Sequence, residues 1–147
     1  MASITKLEEI YDSLGHATSI YPDDTNLTCT FTAHANANTW SDWAEVTDSG
    51  ANTMSALFVT NIGHITAMFL ETLSELDTVY MMEMAYGAAK TLITSGRFAG
   101  ETKFQVPPGN LRFWAPTIPA GETIYYRMKT ATAVADTALI HFRYHAH

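Results

Sequence analysis

From Leu27 onward, apolar and polar positions alternate. Leu27, Cys29, Phe31 and Ala33 interleave with Thr28, Thr30, Thr32 and His34. A period of two predicts a strand with one buried face. The same rhythm returns near the end of the chain. Ile124, Tyr126 and Met128 oppose Tyr125, Arg127 and Lys129, and Ile140, Phe142, Tyr144 and Ala146 oppose His141, Arg143, His145 and His147. Between these runs lie further short apolar stretches at 40–47, 54–61, 64–72, 78–86, 90–98, 102–106 and 111–115, with the last two runs spanning 122–130 and 137–145. Gly87, Gly96, Gly100 and Pro107-Pro108-Gly109 break them. Eight to ten short strands with frequent turns predict an all-β chain folded as a β-sandwich. Eight strands in two packed sheets would make a jelly roll. One stretch is ambiguous: Glu71 to Leu92 is rich in Met, Ala, Leu and Glu. Leu73, Leu76 and Tyr80 could line a helix, so Val79 to Tyr86 fits either a strand or a helix.

Residues 1–25 follow a different pattern. Leu7, Ile10, Tyr11 and Leu14 recur at helical spacing, Thr5 is placed to cap with Glu8 three residues on, and Gly15 would end the helix. An extended stretch follows through Tyr21-Pro22-Asp23-Asp24. The division is an N-terminal arm, 1–25, and a sandwich domain, 26–147. The short helix packs either on its own domain or, through Leu7, Ile10 and Leu14, on a neighbouring chain.

Charge sharpens that choice. Residues 1–60 hold eight acids (Glu8, Glu9, Asp12, Asp23, Asp24, Asp42, Glu45 and Asp48) against Lys6 alone, and every other base lies at or beyond Lys90. The acidic part is either a solvated face or a segment that docks on a more basic surface. The net charge of −7, without any Lys/Arg run, repels nucleic acid. Only 16% of residues are charged, so Thr, Asn, Ser and apolar groups must cover the surface, which suits permanent contacts with other chains. No apolar run approaches the roughly 18 residues of a membrane-spanning helix, and the N-terminus lacks a secretory core, which predicts synthesis in the cytoplasm.

The candidate chemistry is sparse. The single cysteine, Cys29, sits mid-strand in an apolar row, where a thiol is a small hydrophobe rather than a nucleophile. His141, His145 and His147 share a strand face, but Arg143 sits among them and the spacing matches no zinc signature. Asp23-Asp24 and Asp42, Glu45 and Asp48 lie beside turns, where acids commonly act as caps. No nucleophile elbow, phosphate loop or dinucleotide fingerprint occurs. The sequence therefore predicts neither an enzyme nor a metal or cofactor site. The aromatic residues are more informative. Trp40 and Trp114 are expected at the surface with Tyr125 and Arg127, and Trp43 and Phe113 in the core. Exposed Trp serves either as an interface hot spot or as a stacking platform for sugar rings.

The segment from Val106 to Arg127 contains Ile118-Pro119-Ala120-Gly121, then a strand Ile124-Tyr125-Tyr126-Arg127, an Ala/Thr loop from Ala131 to Ala135 and a final strand from Thr137. It resembles small virion proteins of tailed bacteriophages over some forty C-terminal residues. The resemblance implies a β-sandwich or jelly-roll protein on the capsid exterior. Such a protein decorates or cements the shell through contacts with the major capsid protein and with copies of itself, commonly as a trimer. The alternative implied is a tail- or fibre-associated protein that binds host carbohydrate. Residues 1–50 match no one decoration family.

Overall fold

The computed structural model describes residues 18–100, 110–111 and 115–147. In chain order its strands are β1 (Ser19–Tyr21), β2 (Cys29–Thr32), β3 (Ala44–Glu45), β4 (Gly63–Leu73), β5 (Val79–Tyr86), β6 (Thr91–Ala99), β7 (Asn110–Leu111), β8 (Ile124–Thr130) and β9 (Thr137–Ala146). They form two antiparallel sheets, so the chain is all-β and the expected β-sandwich is present. In the first sheet β4 runs the length of β9 on one side and carries β7 beyond it. The other side of β9 takes β1 and β2 in succession. The second sheet runs β3-β8-β5-β6.

Alternation accounts for most of this. Ile124, Tyr126, Met128 and Thr130 of β8 are buried, and the residues between them are half-buried. Ala138, Ile140 and Phe142 turn inward from β9. On β4 the inward positions are Ile65, Met68, Leu70 and Leu73. Two of those intervals are three residues long because the register against β9 slips between Ile65 and Ala67 and between Leu70 and Thr72. Bulges of this kind keep a strand's apolar residues on one face where strict alternation would turn them out.

The ambiguous segment is the strand β5. Tyr80, Met82 and Met84 are fully buried, and β5 is paired with β6 on one side and β8 on the other. Good helix formers occupy a strand here because both ladders and a buried face outweigh a preference of a few tenths of a kcal/mol per residue. The apolar run 54–61 is not a strand. Met54–Phe58 forms a 3-10 turn that buries Met54 and Phe58 at one end of the sandwich. The expected strand at 40–47 shrinks to β3.

One apolar cluster joins the sheets. Phe31 of β2 stacks on Tyr126 of β8, with centroids 3.9 Å apart and rings parallel to within 1°. The Thr32 N–H donates to the Tyr126 hydroxyl oxygen across the same gap (3.1 Å). Met54, Met68, Met82, Met84 and Met128 fill the remaining space, a role that suits an unbranched, adaptable side chain. Gly63 lies against Phe58 so closely that a Cβ there would stand 2.5 Å from its ring.

The extended half of the N-terminal arm is built into the sheet. Ser19, Ile20 and Tyr21 pair with Tyr144, Arg143 and Phe142. Tyr21 is buried and donates its hydroxyl to the Asn52 carbonyl (2.6 Å). The helix expected earlier in the arm, with Leu7, Ile10 and Leu14, lies outside the described residues. So do the expected strand at 102–106 and residues Phe113 and Trp114.

Candidate interaction surface

Tyr125, Arg127 and Lys129 leave β8 on the outer face of the second sheet. The chain before β3 runs along the edge of β8 as an irregular extension of the sheet. The Asn38 N–H donates to the Thr130 carbonyl (2.8 Å), the Ser41 N–H to the Met128 carbonyl (3.0 Å), and the Met128 N–H to the Ser41 hydroxyl (3.0 Å). This edge brings two indoles over one guanidinium: Arg127 lies 4.7 Å from the Trp40 ring centre and 4.6 Å from that of Trp43. Lys129 also lies over Trp40, at 4.9 Å. Across the sheet, Glu83 is the register partner of Arg127 on β5, and its Oε1 accepts from Arg127 Nη2 at 3.2 Å. The Arg127 Nε is buried with no hydrogen-bond partner among the described residues. Two aromatic rings beside the guanidinium offset that cost electrostatically.

The face continues in both directions. Toward the start of β8, Lys90 sits 4.0 Å over the Tyr125 ring, and exposed Leu92 pairs with Ala85 beside it. Past Lys129 the surface dips into a depression of about 370 Å³. Half-buried Val79, Met81 and Lys129 line it together with Asn38, Thr130, Ala131 and exposed Arg97. Among the described residues no carboxylate lines this depression, although the chain carries a net charge of −7.

Three residues singled out from the sequence, Trp40, Tyr125 and Arg127, thus share one surface. Trp43, expected in the core, belongs to that surface: it is half-buried and stacked on Arg127. The partners Glu83 and Lys90 were not foreseen, since nothing local in the sequence sets which residue stands opposite Arg127. The signal that was available is the spacing Trp40-Ser41-Asp42-Trp43 beside a strand with cations on its polar face.

The outer face of the first sheet carries most of the histidines, in two groups. His141 stacks on Phe69 (4.9 Å) and bonds Glu71 (2.9 Å), with Arg143 5.7 Å from the centre of the same Phe69 ring. His145 meets His64 edge-on (5.0 Å) and shares a 2.8 Å Nε2–Nε2 contact with His147. Burial holds the His64 imidazolium below its ordinary pKa. Among the described residues no group of three or more His, Cys, Asp or Glu is placed to hold a metal ion. Of the acids near turns, Asp24 and Asp48 accept hydrogen bonds within their own turns. The Asp48 carboxylate accepts from the backbone N–H groups of Gly50 and Asn52 (2.9 Å each), and Glu45 accepts from the Ser55 hydroxyl (2.6 Å). Cys29 is buried, and that burial, reinforced by the charges of Asp48 and Glu71, pushes its thiol up to about 12.

No protein-family model matches the chain, and neither a curated protein nor a solved structure matches it.

Proposed function

We propose that this protein is a non-enzymatic adhesion module, a virion component of a tailed bacteriophage that decorates or cements the capsid exterior. Its partners in this reading are the major capsid protein and copies of itself, with a trimer favoured. The observation that carries the proposal is the Trp40–Arg127–Trp43 stack with Glu83 behind it. Trp and Arg held rigid in one partly desolvated patch are the residue types that dominate protein interfaces, because little conformational entropy remains to be lost on docking. We also read the strand order β2-β9-β4-β7 over β3-β8-β5-β6 as a jelly roll, with β1 extending the β2 position. That architecture recurs in capsid proteins. The phage-like segment fits this arrangement: Gly121, with φ of +80°, turns the chain into β8, whose polar face supplies Tyr125, Arg127 and Lys129.

The carbohydrate alternative needs free aromatic ring faces. Here Arg127 engages both Trp40 and Trp43, and Lys129 engages Trp40 again, so adhesion to protein is favoured.

The test compares phage particles assembled with and without this chain. Particles that lack it should break at lower temperature yet still adsorb to the host, and added protein should co-sediment with them and restore heat resistance. Added Trp43→Ala protein should co-sediment poorly. Particles that lack the chain, resist heat as before and fail to adsorb would overturn the proposal in favour of host binding.

A further inference from the structure

The depression beside Lys129 joins an apolar floor, Val79 and Met81, to two cations, Arg97 and Lys129. Its occupant should therefore present an apolar side chain next to carboxylates. Five large apolar side chains are exposed among the described residues: Ile20, Val59, Ile62, Leu92 and Val134. Val59 and Ile62 have no acid nearby in sequence, Leu92 lies two residues after Lys90, and the acid near Val134, Asp136, is buried. Ile20 alone stands next to exposed carboxylates, those of Asp23 and Asp24. Asp24 is anchored by accepting from the Asn26 N–H (2.8 Å), which fixes the turn. Arg143, opposite Ile20 on β9, lies over the Phe69 ring.

We infer that the turn Ile20–Asp24 of one copy docks into the Arg97/Lys129 depression of the next, with Ile20 on Val79 and Met81 and the carboxylates on the two cations. The two surfaces lie on different sheets of the sandwich, so the contact is head-to-tail. A head-to-tail contact closes into a ring when its rotation permits, which is how a trimer forms without a two-fold axis. This inference deepens the adhesion proposal by naming the contact between copies and rests on that reading. The contact is read on the free protein, so its failure is distinct from failure to bind particles.

The experiment is sedimentation velocity of the full chain over a concentration series, with far-ultraviolet circular dichroism to verify folding. Wild type should sediment as a closed oligomer. Arg97→Glu should weaken self-association about tenfold or more, because like charges then face each other. Asp23→Lys should do the same from the other side, with Asp24 kept as the anchor of its turn. Mixing the two folded variants should restore association between unlike copies, since each supplies the surface the other has reversed, while a ring of three keeps one junction between like copies. Arg97 and Asp23 are both exposed, so these changes leave the core untouched. A wild type that stays monomeric at high micromolar concentration would overturn the inference. So would an oligomer indifferent to either reversal, or folded variants that fail to complement.

Discussion

Replacing Arg127 with Ala removes three interactions at once. Each cation–π contact, at 4.7 and 4.6 Å on a half-buried face, contributes about 1 kcal/mol. The bond to Glu83 is charge-assisted and worth about 1.5 kcal/mol, the low end of its range, because the two side chains keep 29% and 16% of their exposure. Arg127→Ala should therefore destabilise the domain by about 3.5 kcal/mol, part of it from the Glu83 carboxylate left without its partner. Arg127→Lys keeps the charge but loses the planar face that stacks on the indoles, and should cost about 1 kcal/mol. Adding Glu83→Gln to Arg127→Ala should recover about 1 kcal/mol. Urea unfolding followed by circular dichroism reads all of these. At a slope of about 1.5–2 kcal/mol/M, the Arg127→Ala midpoint should fall by about 2 M. A double-mutant cycle with Trp43→Ala isolates the indole contact and should give a coupling near 1 kcal/mol. A coupling indistinguishable from zero, with Arg127→Ala costing under about 0.5 kcal/mol, would refute the claim that the stack is held in place energetically.

Three further expectations follow from the interior. Cys29 should resist iodoacetamide in the native protein at pH 8 and react fully in urea, since its thiol is buried with a pKa of about 12; fast native labelling would contradict that burial. Gly63→Ala drives a methyl into the buried Phe58 ring and should cost about 2 kcal/mol, with part recovered by Phe58→Leu; a neutral Gly63→Ala would show that the ring can shift freely. The folded-state pKa of His64 lies below the unfolded value of 6.5, so the unfolded chain binds more protons as pH falls through that value. Stability should then drop as pH falls from about 6.5 downward, and His64→Gln should show a shallower drop than wild type; identical pH profiles would contradict this.

The two strands that carry the fold's clearest periodicity were legible because each has one dry face. Ile124, Tyr126 and Met128 of β8 and Ile140 and Phe142 of β9 all turn inward as their parity predicts. Periodicity failed where the backbone leaves strand geometry. Met54 to Phe58 is apolar enough for a strand, yet the Thr47–Thr53 bridge closes a loop just before it and the run turns over the end of the sandwich. Trp43 was misplaced for a related reason: it precedes a strand of only two residues, so there was no alternation from which to count its side. β1 was hidden in the arm because three residues are too few to show a period. Of the candidate surface, the polar face of β8 was readable, while the pairing of Arg127 with Glu83 depends on long-range register that local sequence does not encode.

The position of β9 has a consequence for the order in which the protein is made. Three strands bond to it, from Tyr21 opposite Phe142 and Cys29 opposite Ile140 to the full length of β4. The β5–β6 hairpin, joined by a turn at Gly87 and Lys90, can close as soon as it leaves the ribosome. β1, β2 and β4 cannot do the same, and the eleven residues of β4 wait with an open edge until residues 137–146 emerge. Pairings between distant segments are slow, and an unpaired apolar edge recruits other chains in the meantime. Nascent chains stalled before Thr137 should accordingly be the species that aggregates.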